Sequence, residues 1–284
     1  MSLVEFEIIK ELGKGSFGSV YKVKRKVDNE IYALKMVGMT NLKFKEKFNS
    51  LNEIRVLASI NHPNIISYKE AFYDIISSNL CIIMEYADNG DLEEKISFHI
   101  KRREFFKEAE IWRIFLNILN GIKQLHEMKI LHRDIKAANI FMFKDNKVKI
   151  GDLNVSKEIK MGMLRTQTGT PYYASPEVWN EKPYDYESDM WSIGCLLYEL
   201  ASLKPPFRGS SMKAVSSKVT KGAYEDIPSQ YSKLLSNTIY SLLQLNPTLR
   251  PTAKYLLSYL VNKLSINTLE NTNNSGNIIR NNFR

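Results

Sequence analysis

The chain has 284 residues, 44% hydrophobic and 25% charged, with a formal net charge of +9, a composition and length that allow two compact lobes with real cores. Its longest apolar stretch, residues 111–125, is broken by Arg113, Asn117, Asn120, Lys123 and Gln124, which excludes a membrane span, and Glu5 and Glu7 stand where a secretory leader needs a basic start and an unbroken apolar run. The basic residues fall in short scattered clusters with no nucleic-acid module beside them, so the positive charge is read as that of a basic domain meeting acidic partners and not as a nucleic-acid footprint.

Residues 6–86 read as strands with one helix. Phe6–Leu12, Val20–Val27 and Ile31–Val37 are short β-rich runs separated by Gly or Asp-Asn turns. From Lys45 to Ile60 the apolar residues Phe48, Leu51, Ile54, Leu57 and Ala58 recur at helical spacing, and Asn61-His62-Pro63-Asn64 stops the run. Leu80–Glu85 reads as a buried strand. From Asp91 onward the chain turns mainly helical: Glu108–Glu127 is amphipathic, and Ser188–Ala201 is apolar nearly all round, so it must lie in a core. Cys81 and Cys195 sit in apolar surroundings without metal spacing and read as buried small hydrophobes in a reducing compartment. The end, from about Asn267, is Asn-rich and nearly free of aromatics, the composition of a disordered tail or linker. No internal repeat is visible.

The segment Gly13-Lys14-Gly15-Ser16-Phe17-Gly18-Ser19-Val20 has the spacing G-x-G-x-x-G-x-V. Glycines there let backbone amides approach phosphates, and Val20 can cover a purine. A dinucleotide fold would need a helix straight after the glycines, whereas a β-rich segment follows. Lys35, in Tyr32-Ala33-Leu34-Lys35 on the next strand, suits a point cation beside phosphate oxygens. Its carboxylate partner is expected on the following helix, at Glu53 rather than Glu46. Within residues 131–154, the runs His132-Arg133-Asp134-Ile135-Lys136-Ala137-Ala138-Asn139 and Gly151-Asp152-Leu153-Asn154 supply two carboxylates, an amide, a lysine and an arginine. These are parts for moving a phosphoryl group: an Asp to accept a hydroxyl proton, a Lys to neutralise the moving phosphate, and an Asn plus a second Asp for magnesium.

Together these motifs resemble the eukaryotic protein kinase family from Phe6 to about Leu264. The resemblance implies an α+β, bilobal fold, with a small β-rich N-terminal lobe (4–86) carrying one key helix, a larger mainly helical C-terminal lobe (87–264) and a tail (265–284). It implies ATP and Mg²⁺ as cofactors. In that scheme Lys35 contacts the α/β-phosphates and pairs with Glu53, Asp134 orients the attacking hydroxyl, Lys136 touches the γ-phosphate, and Asn139 and Asp152 hold the metal. Glu85 to Ala87 form the hinge that meets adenine through its backbone, behind the gatekeeper Met84. Val20, Ala33, Leu92 and Phe141 sandwich the base. Leu12, Asp91 and the loop residues Gly13, Lys14, Gly15, Ser16, Phe17 and Gly18 complete the nucleotide site.

Within that family, Gly169-Thr170-Pro171-Tyr172-Tyr173-Ala174-Ser175-Pro176-Glu177-Val178-Trp179, taken with His132 to Phe141, is most similar to the NIMA-related (Nek) kinases. Ste20-like and Aurora-like enzymes differ at the Tyr-Tyr and Ser-Pro-Glu positions. The resemblance implies that Glu177 forms a buried ion pair with Arg250 and that Asp189 holds the catalytic loop's backbone. Lys136, two residues after Asp134, and Thr170 mark serine/threonine specificity. Ala138 stands where arginine-directed relatives carry a glutamate, which disfavours a need for arginine close to the target.

One departure matters: the family's Asp-Phe-Gly is Asp152-Leu153-Asn154. Leu keeps an apolar plug, Asn is the non-glycine residue that best tolerates positive φ, and the metal carboxylate is untouched, the pattern of an active variant. The alternative from another class, a pseudokinase scaffold that binds nucleotide without efficient transfer, rests on Asn154. A small-molecule phosphotransferase would not need the peptide-docking segment from Thr170 to Glu177. Regulation is expected through phosphorylation between Asp152 and Glu177, at Thr166 or next at Thr168, with the added phosphate docking onto Arg133. The expected partners are protein substrates and an upstream activating kinase, or autophosphorylation; no nucleic acid or membrane is expected, and oligomeric state stays open. The resemblance places the protein in the cytoplasm, with the cytoskeleton, a microtubule-organising centre or a cilium as sites.

Overall fold

The structure, a computed structural model, describes residues 2–15, 18–39, 54, 58–153 and 171–265. Five antiparallel strands make the N-terminal sheet: β1 (Phe6–Gly15), β2 (Gly18–Arg25), β3 (Ile31–Gly38), β4 (Tyr68–Asp74) and β5 (Asn79–Glu85), in the order β1-β2-β3-β5-β4. β1 runs past Leu12, so Gly13 and Gly15 are strand residues, paired with Val20 and Gly18. β2 ends at Arg25, two residues short of the expected bound. β5 is buried on both faces because its alternate residues feed two small clusters. Cys81 and Ile83 join Phe6, Val23 and Leu34, while Leu80 and Ile82 join Met39.

β4 has no counterpart among the expected elements. Its sequence carries Lys69, Glu70 and Asp74, its register slips between Tyr68 and Glu70, and it lies at the sheet edge. A polar edge strand with a bulge loses the clean alternation that marks a strand in sequence. Of the helix expected over 45–60, residues 54, 58, 59 and 60 are described; the first three are helical and Ile60 is not, while Phe48, Leu51 and Leu57 lie outside the described residues.

The C-terminal lobe is helical: α1 (Leu92–Arg102), α2 (Glu108–Glu127), α3 (Pro176–Trp179), α4 (Tyr186–Ser202), α5 (Met212–Lys221), α6 (Lys233–Leu242) and the helical residues 253–265, with a two-stranded ribbon of β6 (Ile140–Met142) and β7 (Val148–Ile150) facing the cleft side. α2 has the bounds its periodicity predicts and buries Ile111, Trp112, Ile114, Phe115, Ile118, Leu119, Ile122 and Leu125. α4 starts two residues before the apolar run, because Asp185 and Ser188 form a capping box there that satisfies amides left open at a helix start. Its side chains are buried on nearly every face, Trp191 stacking on Phe207 with centroids 5.3 Å apart. Cys81 and Cys195 are free and buried. Among the described residues no helix is long and apolar enough to cross a membrane.

Asn64 joins the lobes. Its Nδ2 donates to the Val148 carbonyl at 3.0 Å and to Asn117 Oδ1 at 2.5 Å, and its Oδ1 accepts from Asn120 at 2.8 Å. The Ile150 amide donates to the Asn64 carbonyl and the Ile66 amide to the Ile150 carbonyl. The segment that follows the expected helix is therefore hydrogen-bonded into β7 and α2.

Candidate active site

The glycine segment is the tip of the β1–β2 hairpin, with Ser16 and Phe17 outside the described residues. Gly18 is required by β3: a Cβ there would lie 1.8 Å from the Met36 carbonyl oxygen. A Cβ at Gly13 meets no described atom within 4 Å, so packing does not explain that glycine, while close approach by a phosphate would. Leu12, Gly13 and Lys14 are exposed along this edge, and Val20 and Ala33 are half-buried beneath it. β3 carries Lys35 to the mouth of the cleft, where its Nζ lies 2.7 Å from Asp152 Oδ1 across the lobes. Burial pushes the Asp152 carboxyl up, but Lys35 beside it outweighs that and holds it below the usual carboxylate range. Glu53, the expected partner of Lys35, lies outside the described residues.

The catalytic loop is set by two buried groups. His132 has no exposed surface; its Nδ1 accepts from the Asp134 amide at 3.3 Å and its Nε2 lies 3.1 Å from the Gly151 carbonyl. Asp189, near the start of α4, accepts from the amides of His132 and Arg133 at 3.0 and 3.1 Å, from His126 at 3.0 Å and from the Tyr184 hydroxyl at 2.5 Å. Burial alone would raise its carboxyl, and the donation from His126 and Tyr184 instead keeps it low. Arg133 and Asp152 both have positive φ, 68° and 54°, a conformation that costs side chains about 1–3 kcal/mol and persists where the surroundings enforce it. Asp134 Oδ2 accepts from Lys136 Nζ at 2.9 Å, and the Asn139 side-chain nitrogen donates to the Asp134 carbonyl at 2.7 Å. Asp134, Lys136, Asn139, Asp152 and Lys35 thus gather at one cleft.

On the nucleotide side, Met84 is half-buried at the end of β5 and faces Ala33 across the ladder. The Ala87 amide, just beyond, makes no hydrogen bond among the described residues, a free donor where the hinge is expected. Glu85 has its own work: its carboxylate takes Lys149 Nζ at 2.6 and 2.7 Å. Asp91 caps α1, accepting from the Glu94 amide at 2.8 Å, and its carboxyl is raised by burial. The Phe141 ring seats on Gly151, where a Cβ would come within 2.6 Å of it. Leu92 corrects the expectation: it has no exposed surface and belongs to the helical lobe's core, so it offers no face to a base. Leu153 is likewise buried in that core.

The donor set suits magnesium. Asn139 Oδ1 and Asp152 Oδ2 are engaged by no described residue, and hard oxygens are what this ion takes. Among the described residues no group of three or more His, Cys, Asp or Glu could hold a metal alone, so an ion at Asn139 and Asp152 would complete its shell with phosphate and water oxygens, its usual habit.

Farther out, Arg250 donates to both Glu177 oxygens at 2.7 and 3.0 Å, with the pair buried and Ser188 adding a third bond at 2.6 Å. Removing one partner from such a pair typically costs about 3–5 kcal/mol. Thr166, Thr168, Thr170 and Asn154 lie outside the described residues. Sequence reasoning gave no role to His132 or Lys149 and read Asn64 only as part of a helix stop; the part His132 plays shows once the fold has buried it.

The protein kinase domain model matches residues 6–260. The chain belongs to the protein kinase family. It is 40% identical over 259 residues to a probable serine/threonine-protein kinase nek2 of Dictyostelium discoideum, covering 90% of this chain and 62% of that protein. It is 38% identical over 251 residues to the serine/threonine-protein kinase Nek1 of Mus musculus, 88% of this chain and 20% of that one. Human Nek2 is 34% identical over 260 residues, 89% and 58%. The kinase chain thus spans less than two thirds of the length of these relatives, whose names are those of the group that the segment from Gly169 to Trp179 resembles.

Proposed function

We propose that this kinase transfers the γ-phosphoryl group of ATP to serine and threonine hydroxyls of protein substrates. The observation that carries the reading is the 2.7 Å approach of Lys35 to Asp152 over a loop that holds Asp134 2.9 Å from Lys136. Charge spread over the transferred phosphoryl is the obstacle, and fixed cations in a partly desolvated cleft lower it most. Asp134 accepts the proton of the attacking hydroxyl as its oxygen bonds the γ-phosphorus and the bond to the bridging oxygen of ADP breaks. Lys136 sits at the developing charge, and Lys35 holds the phosphates in line. A magnesium ion at Asn139 and Asp152 would neutralise the β- and γ-oxygens when bound. Phosphorylation at Thr166 regulates this activity by giving Arg133 a dianion to dock.

The test is a labelled-ATP assay on a generic protein substrate, comparing wild type with Asp134→Asn, Lys35→Met and Asp152→Ala. Each variant should lose about 10³-fold or more in turnover, as expected when charge stabilisation of a transition state is removed, with its unfolding temperature close to wild type. A wild type no faster than Asp134→Asn would make the chain a nucleotide-binding scaffold. Mapping the label should find it on serine and threonine of the substrate, and the active kinase should itself carry phosphate at Thr166 or, next, Thr168.

A further inference from the structure

Beside the segment carrying Tyr172 and Tyr173, the helical lobe opens a cavity of about 470 Å³. Its rim brings together Lys204 after α4, Arg208, Lys218 of α5 and Glu225, over the rings of Tyr172 and Tyr224. Tyr224 packs edge-to-face on both Tyr198 and Phe207, with centroids 5.7 Å away in each case, which makes the floor rigid and aromatic. Lys204 pairs with Glu225. The Glu225 carboxyl is held below the usual range by that bond first, and the fields of Lys218 and Arg208 reach it too. Three cations therefore answer to one carboxylate. Arg208 and Lys218 are exposed, and their side chains make no hydrogen bond or ion pair among the described residues.

The place of the cavity matters as much as its charge. Tyr173, adjacent to the wall residue Tyr172, donates to Glu199 and packs against the helical lobe's core, to which Ala137 belongs. Ala137 is three residues past Asp134, so the cavity wall and the catalytic loop are set on one core.

We propose that the cavity is a specificity pocket that takes an acidic or phosphorylated side chain of the substrate polypeptide, with Arg208 and Lys218 as its anion ligands. This rests on the reading that the chain phosphorylates proteins. Arg208 supplies a planar fork for two oxygens and Lys218 a point charge, and the absence of a carboxylate at Ala138 removes the competing attraction for basic substrates. A dianionic phosphate gains more from such a pair than a carboxylate does.

The experiment uses a neutral peptide with one threonine acceptor, then the same peptide with aspartate or phosphoserine placed in turn at each flanking position. Wild type should show KM lowered about 10-fold by phosphoserine and about 3-fold by aspartate at one position, the gain of one or two charge-assisted contacts. The charge-swapped double variant Arg208→Glu, Lys218→Glu should lose that preference while turning over the neutral peptide at the wild-type kcat. A flat position scan, or a preference unchanged in the double variant, overturns the pocket. Anisotropy of a labelled phosphopeptide without ATP separates this from the kinase reading. If no peptide is phosphorylated but binding weakens in the double variant, the transfer reading falls and the pocket stands; if binding is unchanged, the pocket falls. Binding to phosphatidylserine vesicles that depends on Arg208 and Lys218, with no peptide preference, would reassign the rim to a lipid surface and also overturn it.

Discussion

His132 and Glu199 act through buried hydrogen bonds, and each has a consequence that can be measured. Because the Asp134 amide points at Nδ1 of His132, the ring proton belongs on Nε2, where it meets the Gly151 carbonyl; one imidazole thereby fixes the spacing between the segments of Asp134 and Asp152. Glu199 lies against the Tyr173 hydroxyl, and burial raises its carboxyl to about 7. A carboxyl raised in the fold keeps its proton there longer than in the unfolded chain, so its presence costs nothing below the ordinary carboxylate range. Stability then falls as pH rises towards 7, by about 3 kcal/mol in all. Glu199→Gln keeps a group able to accept from Tyr173 and removes the titration. Urea midpoints should coincide for the two proteins near pH 4 and favour the variant at pH 8; equal midpoints at both would show that the carboxyl titrates normally. Neither contact was legible in the sequence. Motif residues announce themselves because their chemistry is local to a short run, whereas the Tyr173 hydroxyl and Glu199 are 26 residues apart and meet only once α4 is packed.

At the scale of elements, α4 is the part that locates the catalytic loop. Its first turn carries Asp189 at the positive end of the helix, which favours a carboxylate there, and two loop amides converge on it. Asp189→Asn keeps the volume but offers one acceptor and a pair of donors to groups that are themselves donors. The loop should shift, and a displacement of that size is worth about 10²-fold in rate; kcat should drop by roughly that factor while KM for ATP moves much less. A variant with unchanged kcat would mean that the loop holds its shape without the anchor. Elements whose pattern is strong were legible: α2 over Glu108–Glu127, the hairpin of glycines, and the buried Glu177–Arg250 pair expected from the family resemblance. β4 was not, since its polar edge hides the strand period, and Leu92 was misassigned because an apolar residue in a helix's first turn reads alike whether it faces a ligand or a core.

In the whole molecule, a small sheet with modest clusters rides on a helical lobe with one extensive core. The hinge after β5, braced by Lys149 and Glu85, is one link between them, and Asn64 is another. Asn64→Ala strands the Val148 carbonyl, Asn117 Oδ1 and the side-chain N–H of Asn120, a loss of about 2 kcal/mol on the scale for unsatisfied buried groups. Hydrogen exchange at the amides of Ile66 and Ile150 should quicken with it, and protection unchanged from wild type would mean that the backbone bonds alone hold the segment. Among the described residues the Lys35–Asp152 pair is a third polar tie between sheet and helical lobe. Two of the three ties are ion pairs that salt weakens, so at high ionic strength the uncharged amide of Asn64 is the tie that keeps its strength.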